Sequence, residues 1–249
     1  MKHLLLPFAL MTFLISSCGN QTQTDKGNGL LSNLIKASDN EKRGVQEVVD
    51  FYGGKCEYSV GSSVSSSKDS NKYFKLSLYE SDLLEENGHR IEMPASNIAY
   101  LFYKNLKEEK KNYDEIRIEV KFKDGQKVEL DYSTNILQAV LKRMPFAFKV
   151  VDLIKYQKYA ELTSLINDTA IFEFNKEELT PSLKEVETQF GKITDEAFRP
   201  FGFRIDQYQD RLILHVCGAI LREKQNNEFS MDVDLNSDKE EVYLIQFQL

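Results

Sequence analysis

The stretch Arg211–Arg222 reads RLILHVCGAILR, and it decides the fold class because both of its faces are apolar when the chain is extended. Even-numbered positions place Leu, Leu, Val, Gly and Ile on one side, and odd-numbered positions place Ile, His, Cys, Ala and Leu on the other. Such a strand needs cover on both faces. Polar turns separate it from three further predicted strands, Gly202–Tyr208, Glu228–Leu235 and Glu241–Gln248. The end of the chain therefore predicts a four-stranded antiparallel sheet.

Two helices are predicted before this sheet. The first covers 151–167, where apolar residues recur at helical spacing. The second follows Thr180, a suitable N-cap with Pro181 at the first helical position, and ends before Gly191. We therefore predict an α+β domain over 146–249, in which two helices pack on the antiparallel sheet.

A similar α+β domain is predicted over 43–145, because a length of 249 residues fits two domains of about 100–150 residues each. A short helix should end at Gly53, and another should begin near Ser96 because Pro94 bars an earlier start. Asp124-Gly125 lies between two alternating stretches and predicts a hairpin. A closing helix should end at Pro145. We expect this sheet to be antiparallel as well.

The composition excludes several classes of protein and of partner. The chain is 41% hydrophobic and 29% charged, with 12 Gly, 5 Pro and 3 Cys, which is unlike collagen, disulfide frameworks, multi-pass membrane proteins and wholly disordered chains. Acidic residues outnumber basic ones, 39 to 32, for a formal net charge of -7. This balance argues against a nucleic-acid partner, because surfaces that bind nucleic acid are usually basic.

The first residues, MKHLLLPFALMTFLISSC, have the order of an export signal. Two basic residues precede the apolar stretch Leu4–Ile15, which as a helix would cover about 18 Å. The hydrocarbon core of a membrane is about 30 Å thick, so the stretch is too short to span it. We therefore predict a signal peptide over residues 1–17.

The sequence Leu14–Cys18, LISSC, resembles the lipobox of bacterial lipoproteins. The resemblance implies that Cys18 is joined to diacylglycerol and acylated, for example with palmitate, after the signal peptide is removed. Each buried methylene contributes roughly 0.8 kcal/mol, so two or three acyl chains anchor a protein durably. Gly19 stands where lipoproteins kept in the inner membrane usually have Asp, which implies the outer membrane if the cell has one. Residues 18–42 are predicted to be a polar tether in the cell envelope; the alternative is a plain secretory signal with a chance cysteine.

The order of elements in the last hundred or so residues is similar to that of the nuclear transport factor two-like superfamily. The residues that carry the resemblance are the helix Leu179–Phe190, its stop at Gly191-Lys192-Ile193, the strand Leu212-Ile213-Leu214 and the closing stretch Val242–Ile245. The resemblance implies a cone-shaped sheet. That superfamily contains enzymes, ligand-binding modules and exported proteins, and no motif here transfers a site residue from it.

His215 and Cys217 are the candidate site residues, because positions two apart on a strand share a face. A zinc site would need a third ligand and a catalytic cysteine an orienting partner, and neither is evident nearby in sequence. We therefore predict that both residues line a pocket or the core, with no catalytic set, no metal and no cofactor. Asp232 is expected on a solvated strand face, and Cys56 and Cys217 are expected to be separate, unbridged thiols.

Two classes of function stay open, and a non-enzymatic one leads. The chain would be a lipid-anchored envelope protein that binds a partner protein or a small apolar ligand. The alternative is a small hydrolase or isomerase that uses His215 on the concave face of the C-terminal sheet, and a third possibility is an assembly component without a pocket. A cavity where His215 meets a carboxylate would favour the enzyme, whereas a wholly aliphatic surrounding would disfavour it.

Overall fold

The structure is a computed structural model, and it describes residues 37–63, 71–167 and 176–248. The predicted signal peptide, the lipobox with Cys18 and most of the predicted tether lie outside the described residues. Within the described part, no helix is both long and apolar enough to cross a membrane.

The described chain has an α+β fold, as predicted, and contains two four-stranded sheets. In chain order the elements are α1 (Asp39–Tyr52), β1 (Lys55–Ser63), β2 (Asn71–Tyr79), α2 (Asp82–Glu86), α3 (Glu92–Asn105), β3 (Glu115–Lys121), β4 (Lys127–Ser133), α4 (Thr134–Lys155), α5 (Tyr159–Leu165), α6 (Lys176–Phe190), β5 (Ile193–Tyr208), β6 (Arg211–Arg222), β7 (Asn227–Asp234) and β8 (Leu244–Gln248). Short 3-10 helices cover Gly88–Arg90 and Glu108–Asn112. The strand orders are β1-β2-β3-β4 and β5-β6-β7-β8.

The first sheet is mixed, which corrects the expectation of an antiparallel sheet. β1 pairs with β2 and β3 pairs with β4 in antiparallel fashion, but β2 and β3 run parallel, with Phe74 opposite Ile116. Helices α2 and α3 lie between β2 and β3, and a helical crossover returns the chain to the same end of a sheet. Alternation within each strand predicts its faces but not its direction. The predicted hairpin is confirmed, and Gly125 takes the left-handed φ of 88° at its turn.

The second sheet is an antiparallel meander, as predicted. Its first strand, β5, begins at Ile193 instead of the expected Gly202. Register shifts against β6 occur between Ile193 and Phe198 and between Pro200 and Gly202. These bulges break the alternation of apolar and polar residues by which a strand is predicted from a sequence. The first half of β5 was therefore not predicted.

Helix α3 lies between the two sheets, and every residue from Pro94 to Tyr103 is buried. It also covers the edge of β5, where the Phe203 amide donates a hydrogen bond to Ser96 Oγ at 2.7 Å. One continuous hydrophobic cluster includes residues of both sheets and of α3. An edge strand exposes unpaired backbone groups, so this contact both satisfies and shields β5.

Two helices contain a proline at which the sequence predicted a helix end or a helix start. α4 runs through Pro145 to Lys155 and crosses the predicted domain boundary, so the helix end expected at Pro145 is wrong. Pro145 is exposed while its neighbours Met144 and Phe146 are buried, and this packing holds the helix together despite the lost hydrogen bond. α6 likewise contains Pro181, and the described part of it begins at Lys176. The division into domains 43–145 and 146–249 stays a prediction.

The two remaining helix starts also lie earlier than expected. α3 begins at Glu92, two residues before Pro94. Pro94 is tolerated there because the backbone N–H groups in the first turn of a helix have no carbonyl partner within the helix, so the missing N–H of proline costs no hydrogen bond. α1 begins at Asp39, inside the predicted tether. Ser38 caps it: Ser38 Oγ accepts from the Glu41 amide at 3.1 Å, and the Ser38 amide donates to Glu41 Oε2 at 2.6 Å.

Candidate functional site

The two faces of the second sheet differ in chemistry. The face that carries Phe198 and Phe229 is apolar and turns toward α4, whose Phe148 meets Phe198 edge-on with ring centroids 5.5 Å apart. The opposite face carries the odd-numbered side chains of β6, including His215 and Cys217. The candidate site lies on this opposite face.

Strand register brings a carboxylate to His215. On β7 the residue directly opposite His215 is Asp232, and paired residues on neighbouring strands point to the same side. The Nδ1 atom of His215 lies 2.5 Å from Asp232 Oδ1. Asp232 is only 6% exposed, so the expectation that it is solvated is wrong. The sheet face that carries Asp232 is covered by the rest of the protein at this point, whereas the alternation of residues in β7 suggested that this face is exposed to water.

Cys217 completes a chain of three side chains, which we term the thiol array. The Sγ atom of Cys217 lies 3.0 Å from Nε2 of His215, so the imidazole contacts the thiol through one nitrogen and the Asp232 carboxylate through the other. Cys217 and His215 are 5% and 7% exposed. A neutral thiol donating to Nε2 and an Nδ1–H donating to the carboxylate satisfy both ring nitrogens.

The charges around the thiol partly cancel. Burial raises the pKa of the Cys217 thiol to about 12, and the negative charges of Glu228 and Asp232 act in the same direction. Arg204 and Arg90 oppose this rise. The resting thiol is therefore protonated, with two guanidinium groups near enough to favour its anion.

Cys56 provides a comparison within the same chain. It lies on β1 of the first sheet, and burial raises its pKa to about 12 as well. Its Sγ lies 3.6 Å from the Glu57 carbonyl. Cys56 and Cys217 are both free thiols, as expected, although Cys56 is only half-buried.

A cleft of about 550 Å³ opens beside the thiol array, between α1, α3 and β5. Its apolar lining consists of Phe51, Tyr52, Leu83, Met93, Pro94, Phe201 and Ala219. Its polar lining consists of Glu47, Asp50, Asn87, Arg90 and Arg199. A second cavity of about 350 Å³ shares Glu47, Phe51 and Arg199 with it, so the two are adjacent.

The polar residues at the rim of the cleft are already paired. Glu47 Oε1 lies 2.5 Å from Lys104 Nζ, and the Arg199 guanidinium lies 3.0 Å from Glu196. Arg90 lies 3.4 Å from Glu228 and stands over the Phe201 ring, 5.6 Å from its centroid. The unpartnered surface in the cleft is therefore its apolar floor.

The cleft and the thiol array are neighbours along β6. Ala219 lines the cleft, and Cys217 is the next residue on the same face, about 6.6 Å away at the rise of a strand. His215 and Cys217, predicted to line a pocket, are not among the residues described around either cavity. Arg90 belongs to both features, because it lines the cleft and acts on the Cys217 thiol.

A close backbone approach helps to cover the array. Gly202 on β5 lies opposite Cys217, and a Cβ atom at this position would lie 2.6 Å from the Met93 carbonyl oxygen of α3. Glycine lets the start of α3 pack against the sheet at this point. Within the described residues, no group of three or more His, Cys, Asp or Glu side chains could hold a metal ion.

The chain matches no protein-family model, and no curated protein or solved structure is significantly similar to it. The resemblances to bacterial lipoproteins and to the nuclear transport factor two-like superfamily therefore stay predictions from the sequence.

Proposed function

We propose that this protein is anchored in the cell envelope by lipid at Cys18 and binds a small, mainly apolar ligand in the cleft between α1, α3 and β5. The observation that carries the proposal is the apolar floor of a cavity of about 550 Å³. Ligand sites of proteins are commonly cavities of about 300–1,000 Å³ with a mostly apolar lining and a few polar groups.

The lining suggests the chemistry of the ligand. Phe51 and Phe201 offer aromatic surface, and Leu83 remains 39% exposed. Burying such surface contributes about 25 cal/mol per Å². The ion pairs of Arg90 and Arg199 are partly exposed, and such pairs are worth about 0–1 kcal/mol, so an acidic group of a ligand can replace their carboxylate partners. An aromatic body with one anionic group fits this lining.

Attachment through lipid agrees with the charge of the chain. A net charge of -7 disfavours adhesion to anionic lipid, so the acyl chains on Cys18 would hold the protein. Metabolic labelling with alkynyl palmitate tests this attachment. We expect label on the wild-type protein and none on Cys18→Ala, which should also leave the membrane fraction. An unlabelled wild type would contradict the anchor.

Ligand binding is tested by calorimetry with naphthoate on the lipidated protein in phosphatidylcholine vesicles, with empty vesicles as the blank. Phe201→Ala should weaken binding by about tenfold, because it removes about 1.5 kcal/mol or more of apolar burial. Arg90→Gln should weaken binding of naphthoate and leave that of the neutral naphthamide unchanged.

Tyr208→Ala is the matched control, because Tyr208 is an exposed aromatic residue on the same strand and outside the cleft lining. It should bind naphthoate like the wild type. Equal losses in Phe201→Ala and Tyr208→Ala, or no saturable binding by the wild type, would refute the cleft as a binding site.

A further inference from the structure

The thiol array is not needed to fill space. Its three polar side chains are buried, and apolar residues of similar size could occupy their positions without the cost of removing polar groups from water. Each polar contact inside the array is nevertheless made, through Sγ to Nε2 at 3.0 Å and Nδ1 to Oδ1 at 2.5 Å. A satisfied but energetically unnecessary polar array calls for a chemical explanation.

The order of groups in the array matches the needs of acyl transfer. A cysteine nucleophile requires a base within hydrogen-bond reach, and that base requires a third group to orient it. Asp232 accepts from Nδ1 of His215, which leaves Nε2 free to take the proton of the Cys217 thiol. The spacing along β6 and its pairing with β7 create this order without any help from loops.

We infer that Cys217, His215 and Asp232 form a nucleophilic site that accepts the acyl group of an ester or thioester presented from the adjacent cleft. This inference goes beyond ligand binding, because the same cleft could serve a protein with an inert thiol. Access runs past Ala219, whose side chain is a single methyl group and which lines the cleft next to Cys217.

The reaction balances without any external reagent except water. As Sγ of Cys217 bonds to the carbonyl carbon, the thiol proton passes to Nε2 of His215. The bond from that carbon to the leaving oxygen or sulfur then breaks, and the leaving group takes the proton from His215 as an alcohol or thiol. Water next attacks the Cys217 thioester and gives up one proton through His215 to the departing Sγ, which releases a carboxylic acid and restores the thiol.

Arg90 links the cleft to the thiol. It lines the cleft and pairs with Glu228 at 3.4 Å, and its charge opposes the effect of burial, which raises the pKa of Cys217 to about 12. A thiol that is protonated at rest reacts slowly unless a neighbouring base takes its proton during the attack, and His215 is in position to do so. Proton transfer to His215 then accompanies attack, so no stable thiolate is required.

The two free cysteines of the described chain make an internal test. Native protein is treated with iodoacetamide, and alkylation of the Cys56 and Cys217 peptides is followed by mass spectrometry. On exposure alone Cys56 should react first, because it is half-buried whereas Cys217 is buried. We expect Cys217 to react first and His215→Gln to slow it by about a hundredfold, the lower range for a positioned base. Faster alkylation of Cys56 in the wild type would overturn the inference.

Acyl transfer is tested with p-nitrophenyl acetate. We expect an acetyl adduct on the Cys217 peptide and release of nitrophenol that is lost in Cys217→Ser and retained in Cys56→Ser. Because His215→Gln could disturb folding, Ala219→Leu provides a second variant outside the array. It should slow acylation of Cys217 by at least about tenfold by blocking the approach from the cleft, with an unchanged urea midpoint. Unchanged acylation in Ala219→Leu would contradict access from the cleft.

The outcomes separate this inference from the proposed function. If naphthoate binds in the cleft and Cys217 is neither acylated nor preferentially alkylated, the nucleophilic site is refuted and ligand binding stands. If Cys217 is acylated and naphthoate does not bind, the site stands and the ligand chemistry proposed for the cleft is wrong.

Discussion

One face of each sheet carries cross-strand polar pairs, and the surroundings of the two sets of pairs are opposite. On the first sheet Lys75 reaches Glu119 at 3.0 Å and also contacts Glu129, and Arg117 reaches Asp131 at 3.4 Å, all with access to water. On the second sheet His215 and Asp232 are buried. Water already screens the first network, so it requires no further explanation. Burying the His215–Asp232 pair costs free energy because both groups lose their contact with water. This pair therefore needs a functional explanation, which the network on the first sheet does not.

The largest expected effect is the loss of the Asp232 carboxylate from the second sheet, compared with the loss of the Asp131 carboxylate from the first sheet. Asp232→Ala should lower the free energy of unfolding by about 2–4 kcal/mol, because it leaves Nδ1 of buried His215 without its acceptor. Asp131→Ala should lower it by less than about 0.5 kcal/mol, because the Asp131 side chain is half exposed. Urea unfolding of the two variants measures both losses, and equal losses would remove the distinction between the faces.

The next effect concerns one glycine on each sheet. Gly202→Ala should cost about 1–3 kcal/mol, because the new Cβ would lie 2.6 Å from the Met93 carbonyl oxygen and α3 would have to move. At Gly61 the new Cβ would meet the hydroxyl and the adjoining ring carbons of Tyr73, which are side-chain atoms and can move more easily than backbone, so Gly61→Ala should cost less. Thermal melting of both variants checks the order. A larger loss at Gly61 would show that α3 packs loosely on β5.

The smallest effect is the acid response of the first sheet. Burial alone would raise the pKa of Glu119, but hydrogen bonds from Lys75, Ser77 and Lys121 lower it overall. A lowered folded pKa stabilises the protein above the unfolded value of about 4.3 and loses that contribution as pH falls through the folded value. Glu119→Gln should therefore flatten the fall of stability below about pH 4, by less than about 1 kcal/mol. Urea midpoints at several acidic pH values test this, and an unchanged slope would contradict it.

The sequence predicts much of the second sheet because strand-forming stretches are separated there by polar turns. The sequence does not predict that Asp232 lies opposite His215. The polar stretch Gln225–Asn227 is centred on Asn226 and would place Ser237 there, whereas the observed register centres the hairpin between Glu223 and Lys224. The alternation of Met231 and Val233 showed which face Asp232 occupies, but not that the rest of the protein covers that face.

Other features depend on packing between distant segments. The walls of the cleft come from α1, α3 and β5, so no local pattern could place them together. Prolines misled the prediction for a related reason: Pro145 lies within a helix whose neighbouring residues are firmly packed. The parallel pairing of β2 and β3 likewise follows from the crossover through α3, which the faces of the strands do not encode.

The burial of Pro94–Tyr103 on all sides of α3 has a consequence for how the protein opens. Neither sheet can separate from this helix without exposing apolar residues of the helix to water. A substitution that destabilises one sheet should therefore lower the stability of the other as well. The backbone amides of α3 should then exchange with deuterium only when the whole described structure opens. The slowest-exchanging segment would thus be the helix packed between the sheets, and its exchange rate would report the integrity of both.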